Sequence, residues 1–267
     1  MKNWELRIPY HDSISVNLDG LWTKTTVEFG DFEEDIVVMD GVRMKGRALT
    51  RCLKVIDFVK RLSCIDGKVK VTSNNSLSYK DAKGLGFSSS GGAALAAAAF
   101  KAAGLDQRFG WDVKFISRIA RRLAGSACRS VVGEYARWIA GFDDESSYAV
   151  KIGSKKDLDL GMIVVPLSSN LRTEEAHREA QSSPFFKTRV SQIGKRVDEM
   201  ERAIRNGDLS TVGRLAEADT LELHAVTMTG RRGLMVYRPE TIQVINLVRR
   251  MRREGLEVYL SMQTGPS

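Results

Sequence analysis

Apolar residues along the chain recur at two spacings, and the switches between them outline its elements. Leu49, Leu53, Ile56, Val59 and Leu62 fall at helical spacing, whereas Lys68 to Ser73 alternates and predicts a strand. Ser15 to Phe29 reads as a strand pair turning at Asp19-Gly20, with β-branched Thr25, Thr26 and Val27 in its second arm. Ala93 to Ala103 has strong helix propensity and few side chains to hinder close packing. Asp112 is placed to cap a helix carrying Val113, Ile116, Ile119 and Leu123. Ser147 to Ile152 and Gly161 to Val165 predict strands, and the polar stretch Gly153 to Asp159 between them predicts a domain boundary. Val190, Ile193, Val197, Met200 and Ile204 mark a long amphipathic helix stopped by Asn206-Gly207. A helix over Leu209 to His224 follows, then one after Pro239 with Ile242, Ile245 and Val248 on one face, then a last strand over Leu256 to Met262. Strand-like and helical runs in alternation imply an α+β or α/β class.

Composition narrows the picture. The 267 residues are 43% hydrophobic, enough for a packed core, and no apolar run approaches the roughly 20 residues that span a bilayer. Met1 to Ile8 lacks the apolar core of a signal peptide. Cys52, Cys64 and Cys128 form no CxxC pair and read as reduced thiols in or near a core. A cytoplasmic protein without membrane attachment is expected. The net charge of +8 suits an anionic partner, yet no aromatic-interleaved basic strand suggests nucleic acid. The clusters Arg118, Arg121, Arg122 and Arg249, Arg250, Arg252, Arg253 read as solvated helix faces. His11, His177 and His224 join no cluster with metal-ligand spacing, so no metal site is expected.

Three segments carry candidate chemistry. Gly84-Leu85-Gly86-Phe87-Ser88-Ser89-Ser90-Gly91-Gly92 reads as a loop running into a helix. Glycines let backbone N–H groups approach an anion, serines add donors, and a helix start adds a positive end. No Gly-Lys-Ser/Thr follows, so it is not a Walker loop. In Gly125-Ser126-Ala127-Cys128-Arg129-Ser130 an arginine sits among small residues, which suits forked binding of a carboxylate or phosphate. Thr173-Glu174-Glu175-Ala176-His177, with Ser182-Ser183-Pro184-Phe185-Phe186, reads from its residues alone as a polar surface loop and a helix start.

Together these segments resemble the diphosphomevalonate decarboxylase family of the GHMP kinase superfamily. The likeness begins at Ile8-Pro9-Tyr10-His11-Asp12-Ser13-Ile14-Ser15-Val16, passes through both glycine-serine runs, Ser147-Tyr148-Ala149-Val150 and Leu223-His224-Ala225, and ends at Gly265-Pro266. The resemblance implies a two-domain α+β fold: a ribosomal-S5-like domain over 1–156 and a ferredoxin-like domain over 157–267, the latter incomplete and the whole shortened at both ends. It implies a phosphorylated mevalonate as partner, with loss of phosphate and carbon dioxide leaving an isopentenyl product. Arg129 and Ser126 would act on the acidic groups of the substrate, and Gly84, Gly86, Ser88, Ser89, Ser90, Gly91, Arg172 and Thr173 would bind substrate or phosphate. ATP and magnesium would be used if the family's ordinary mechanism is kept, and a homodimer is compatible with the resemblance.

Three departures separate this chain from the family's pattern. The opening Tyr-Trp-Gly-Lys-like strand is missing, Phe87 stands where a serine is expected, and Gln263 replaces the catalytic aspartate before Gly265-Pro266. Tyr79-Lys80-Asp81-Ala82-Lys83 also replaces the family's proline-containing approach to the loop, and the changes fall mainly on parts that serve ATP binding and hydroxyl phosphorylation, since an amide accepts no proton as a carboxylate does. The pattern resembles the archaeal bisphosphomevalonate decarboxylases, which need no ATP. An ATP-dependent decarboxylase and a catalytically inactive binding relative are the alternatives.

Overall fold

The computed structural model describes residues 1–77, 86–167, 171 and 173–265. The chain divides into two compact units, Met1–Ile152 and Gly153–Ser267.

The first unit holds strands β1 (Ser13–Val16), β2 (Thr23–Gly30), β3 (Ile36–Met39) and β4 (Val42–Arg43), then helix α1 (Gly46–Ser63) and β5 (Lys68–Asn75). Helices α2 (Phe87–Ala102), α3 (Leu105–Phe109), α4 (Val113–Arg121) and α5 (Ala127–Val132) follow, then β6 (Tyr135–Ile139) and β7 (Tyr148–Gly153). One sheet has the order β2-β5-β3-β4, the other β1-β6-β7. Val27, Val37, Val69 and Val71 of the first sheet pack with Val55, Ile56 and Val59 of α1, with Ala96, Ala99 and Phe100 of α2, and with Ile116 and Ile119 of α4. Gly92 lets α2 approach α5, because a Cβ there would lie 2.7 Å from that of Ala127. Asp112 caps α4 as expected, accepting from the Phe115 N–H at 3.0 Å.

Several expectations are corrected here. Ser15 to Phe29 is no strand pair: β1 pairs antiparallel with β6, and β2 with β5 in the other sheet. The Asp19-Gly20 signal is local, but the partners are chosen by long-range ladders. The glycine-serine stretch does not stay a loop to Gly92, since α2 starts at Phe87 behind Gly86 in the left-handed conformation (φ 76°). Of the three thiols, Cys64 is exposed. Nor do Arg118, Arg121 and Arg122 form a solvated face. Arg121 is fully buried, and all three converge on the Asp144 carboxylate at 2.8, 2.6 and 3.1 Å.

In the second unit α6 (Thr173–Ser182), α7 (Phe186–Arg205), α8 (Leu209–Met228) and α9 (Pro239–Arg253) account for the regular structure among the described residues. Thr173 to His177 therefore opens a helix rather than a surface loop. Helices α7 and α8 are joined by Arg189, which meets Asp219 at 2.6 Å and Glu222 at 3.1 Å, and by Arg196, which meets Glu222 at 2.7 Å.

Gly161 to Val165 and Leu256 to Met262 are not strands among the described residues. An apolar run favours extended backbone, but a strand also needs a neighbour to complete its ladder. The 256–263 segment instead gives its backbone to α8 side chains. The Leu260 N–H donates to Glu217 Oε1 (3.1 Å), the Met262 N–H to Thr220 Oγ1 (3.0 Å), and His224 Nε2–H to the Gln263 carbonyl (2.8 Å). Gly213 completes this stripe, and a Cβ on it would overlap the Tyr259 ring. Gly213→Ala should therefore destabilise the protein by about 1–3 kcal/mol through overpacking. A urea titration checks it, and adding Tyr259→Ala should recover part of the loss.

Candidate active site

In the antiparallel β1–β6 ladder Ser13 lies opposite Trp138 and Ser15 opposite Ala136. Directly opposed residues project to the same face, and residues two apart along a strand share it. Ser13, Ser15, Ala136 and Trp138 thus line one face. Arg129, from α5, lies across it. Its Nε donates to Ser15 Oγ at 2.8 Å and its Nη1 to Ser13 Oγ at 2.5 Å, while its guanidinium carbon is 5.9 Å from the centroid of the Trp138 ring. Asn17 Nδ2 donates to the Arg129 carbonyl at 3.5 Å.

Arg129 is half-buried, and burial lowers its pKa; a guanidinium nonetheless keeps its charge. Two of its five N–H donors go to the serines. The other three have no hydrogen-bond partner among the described residues. One turn earlier Ser126 shares a hydrogen bond with Ser89, whose hydroxyl projects from the first turn of α2. Arg129, Ser126, Ser89, Ser13 and Ser15 therefore join into one cationic, hydroxyl-rich surface suited to an acidic ligand. Ser88 is exposed, Ser90 and Gly91 are half-buried in the same start of α2, and Gly86 precedes it. Gly84 and Arg172 lie outside the described residues. Cys128, between Ser126 and Arg129, takes no part as a nucleophile, because burial pushes its thiol up to about 12.

The remaining sequence candidates lie in the second unit. Thr173 opens α6, and its Oγ1 accepts from Thr264 Oγ1 at 3.5 Å, which brings it beside Gln263. Gln263 is exposed, while its backbone carbonyl is tied to His224. His224 is buried against Tyr237, with ring centroids 5.0 Å apart, and its Nδ1 has no hydrogen-bond partner among the described residues. The first turn of α2 carries hydroxyls and no carboxylate, and no group of three His, Cys, Asp or Glu among the described residues could hold a metal ion.

Ser13 and Ser15 were not singled out from the sequence as site residues. Their Ser-x-Ser spacing in a strand is the available signal, but it says nothing of the partner until the β1–β6 register is known.

Residues 1–149 match the family described as "Diphosphomevalonate decarboxylase-like N-terminal domain", and residues 169–262 match "Mevalonate 5-diphosphate decarboxylase C-terminal domain". The chain belongs to the diphosphomevalonate decarboxylase family. These are carboxy-lyases of the GHMP superfamily acting on mevalonate phosphates, and the chain has their two-domain α+β fold. It is 39% identical to the phosphomevalonate decarboxylase of Haloferax volcanii, over 100% of this chain and 81% of that protein. It is 27% identical to the mevalonate 3,5-bisphosphate decarboxylase of Thermoplasma acidophilum, over 98% of this chain but 64% of that longer protein. Among solved structures, mevalonate diphosphate decarboxylase from Staphylococcus aureus superposes with a TM-score of 0.89 at 29% identity, covering 99% of this chain and 80% of that one. The complex of MDDEF with MVAPP, AMPPCP and magnesium also gives 0.89 at 29% identity, covering 99% and 81%. No helix among the described residues is long and apolar enough to cross a membrane.

Burial holds the pKa of this family member's His224 below its ordinary value, against a smaller opposing effect of the Gln263 carbonyl. The unfolded chain then binds the extra proton more readily, so stability should fall as pH drops below about 6.5. Urea midpoints at pH 7.5 and 5.5 should differ more for the natural chain than for His224→Gln.

Proposed function

We propose that this chain decarboxylates a mevalonate carrying a single phosphate on C5 and a second on C3, forming isopentenyl phosphate. The carrying observation is the Arg129 fork, fixed by Ser13 and Ser15 with donors left for an acidic ligand. The C3–O bond breaks, its electron pair leaves with the phosphate, and positive charge grows at C3. The C1–C2 bond then breaks, its electrons form the C2=C3 double bond, and carbon dioxide leaves. Arg129 and Ser126 hold the acidic groups in place, and such pre-set donors stabilise the departing charge without reorganising. Ser89, with Gly86, Ser88, Ser90 and Gly91, extends the phosphate-binding surface.

The single C5 phosphate is supported by the two archaeal relatives, whose names specify phosphomevalonate and mevalonate 3,5-bisphosphate. Arrival of the substrate already phosphorylated at C3 is supported by Gln263, an amide at the family's aspartate position, and by Phe87, which opens α2 where a hydroxyl is expected. The S5-like domain over 1–156 and the ferredoxin-like domain over 157–267 belong to the same reading.

Carbon dioxide release from mevalonate 3,5-bisphosphate should proceed without nucleotide. The 5-phosphate and the 5-diphosphate, each with and without magnesium-ATP, are the comparison substrates. Turnover of the 5-phosphate only with ATP would overturn nucleotide independence, and turnover of the 5-diphosphate alone would overturn the whole assignment. In the same assay Arg129→Lys should lower kcat/KM about ten- to a hundredfold, since a point charge replaces a charge-assisted fork.

A further inference from the structure

Trp138 lies under the arginine without belonging to any segment that the sequence marks for chemistry. It is 4% exposed. Its indole packs in a cluster with Cys128 and Ala149, and three further contacts fix its orientation. Its Nε1–H donates to the hydroxyl of fully buried Ser147 at 3.1 Å. Its far edge meets Gly125, where an added Cβ would lie 2.7 Å from Cη2. Its ring faces the Arg129 guanidinium. The ladder opposes it to Ser13, the residue that accepts from Arg129 Nη1.

A guanidinium held through Nε and Nη1 by two hydroxyls can still turn about the line that joins them. An aromatic floor removes this freedom, and the attraction between cation and ring face is worth most where water is excluded. The floor is itself fixed, because the Ser147 bond sets the turn of the indole and the missing side chain at Gly125 lets it slide fully home.

We infer that Trp138, locked by Ser147, is a positioning residue that sets the plane of the Arg129 fork for the acidic substrate. This rests on the decarboxylase reading and extends it to two residues that touch no substrate. It also accounts for glycine at position 125, in the run that carries Arg129.

The test is a double-mutant cycle on the full chain. Trp138→Phe keeps a ring but loses the Ser147 bond, and Ser147→Ala loses the bond while keeping the indole. Each should lower kcat/KM for the mevalonate phosphate that the natural chain turns over, by about three- to tenfold, the scale of a cation–π contact and a hydrogen bond. In the Arg129→Lys background, where no fork remains to be aligned, neither change should lower it further. Equal losses in both backgrounds would mean a general structural role and overturn the inference, as would no loss in the natural background. Calorimetric binding of mevalonate 5-phosphate to the same variants keeps the tests separate. Absence of turnover by the natural chain counts against the decarboxylase reading alone, while the same non-additivity in binding still decides the role of Trp138. Should Trp138→Phe fail to give a cooperative urea transition, Ser147→Ala carries the cycle.

Discussion

The antiparallel register of β1 against β6 is the constraint on which the candidate site depends. It places two hydroxyls in line on one strand, with a small residue and an indole opposite them. Shifting the pairing by one residue would turn Ile14 and Val16 toward Arg129 and leave its donors without acceptors. Everything chemically distinctive about Arg129 follows from that alignment. A half-buried guanidinium is costly unless its donors are matched, and matching two of them leaves the rest directed at whatever acid arrives.

Much of the fold could be read from the chain because its helices are amphipathic and well punctuated. The spacing of Leu49 through Leu62, the cap at Asp112 and the stop at Asn206-Gly207 are local signals, and local hydrogen bonding satisfies them. The failures at the strands and at Arg121 are of one kind. The partner of Ser13–Val16 lies more than a hundred residues away, so the nearby Asp19-Gly20 turn suggested the wrong neighbour. Extended segments at Gly161 and Leu256 look like strands in isolation because propensity describes a backbone shape, not who completes its hydrogen bonds. Arg121 looked solvated because nothing in its own helix reveals Asp144.

The site was legible to the same degree. Arg129 and Ser126 stand in a run whose composition already suggests an anion holder, and the family likeness gives that run a substrate. Ser13, Ser15 and Trp138 depend on tertiary register, which no spacing rule supplies. The two units also differ in character. The first combines sheets and helices around an aliphatic core, whereas α7 and α8 of the second are tied by arginine–carboxylate pairs.

The stripe on α8 deserves a different description: it works as a ruler. Glu217, Thr220 and His224 step along the helix by about 4.5 and 6 Å, and the backbone groups they meet, at Leu260, Met262 and Gln263, follow in the same order along the 256–263 segment. That segment is read through its peptide groups, and only some of its side chains, Tyr259 and Met262 among them, are packed as well. Its length is constrained. Losing or gaining one residue between Arg252 and Gln263 would move every later peptide off its mark, and Gln263 with it. In this chain the number of residues leading up to position 263 is therefore fixed by the helix more tightly than by any one side chain in the segment.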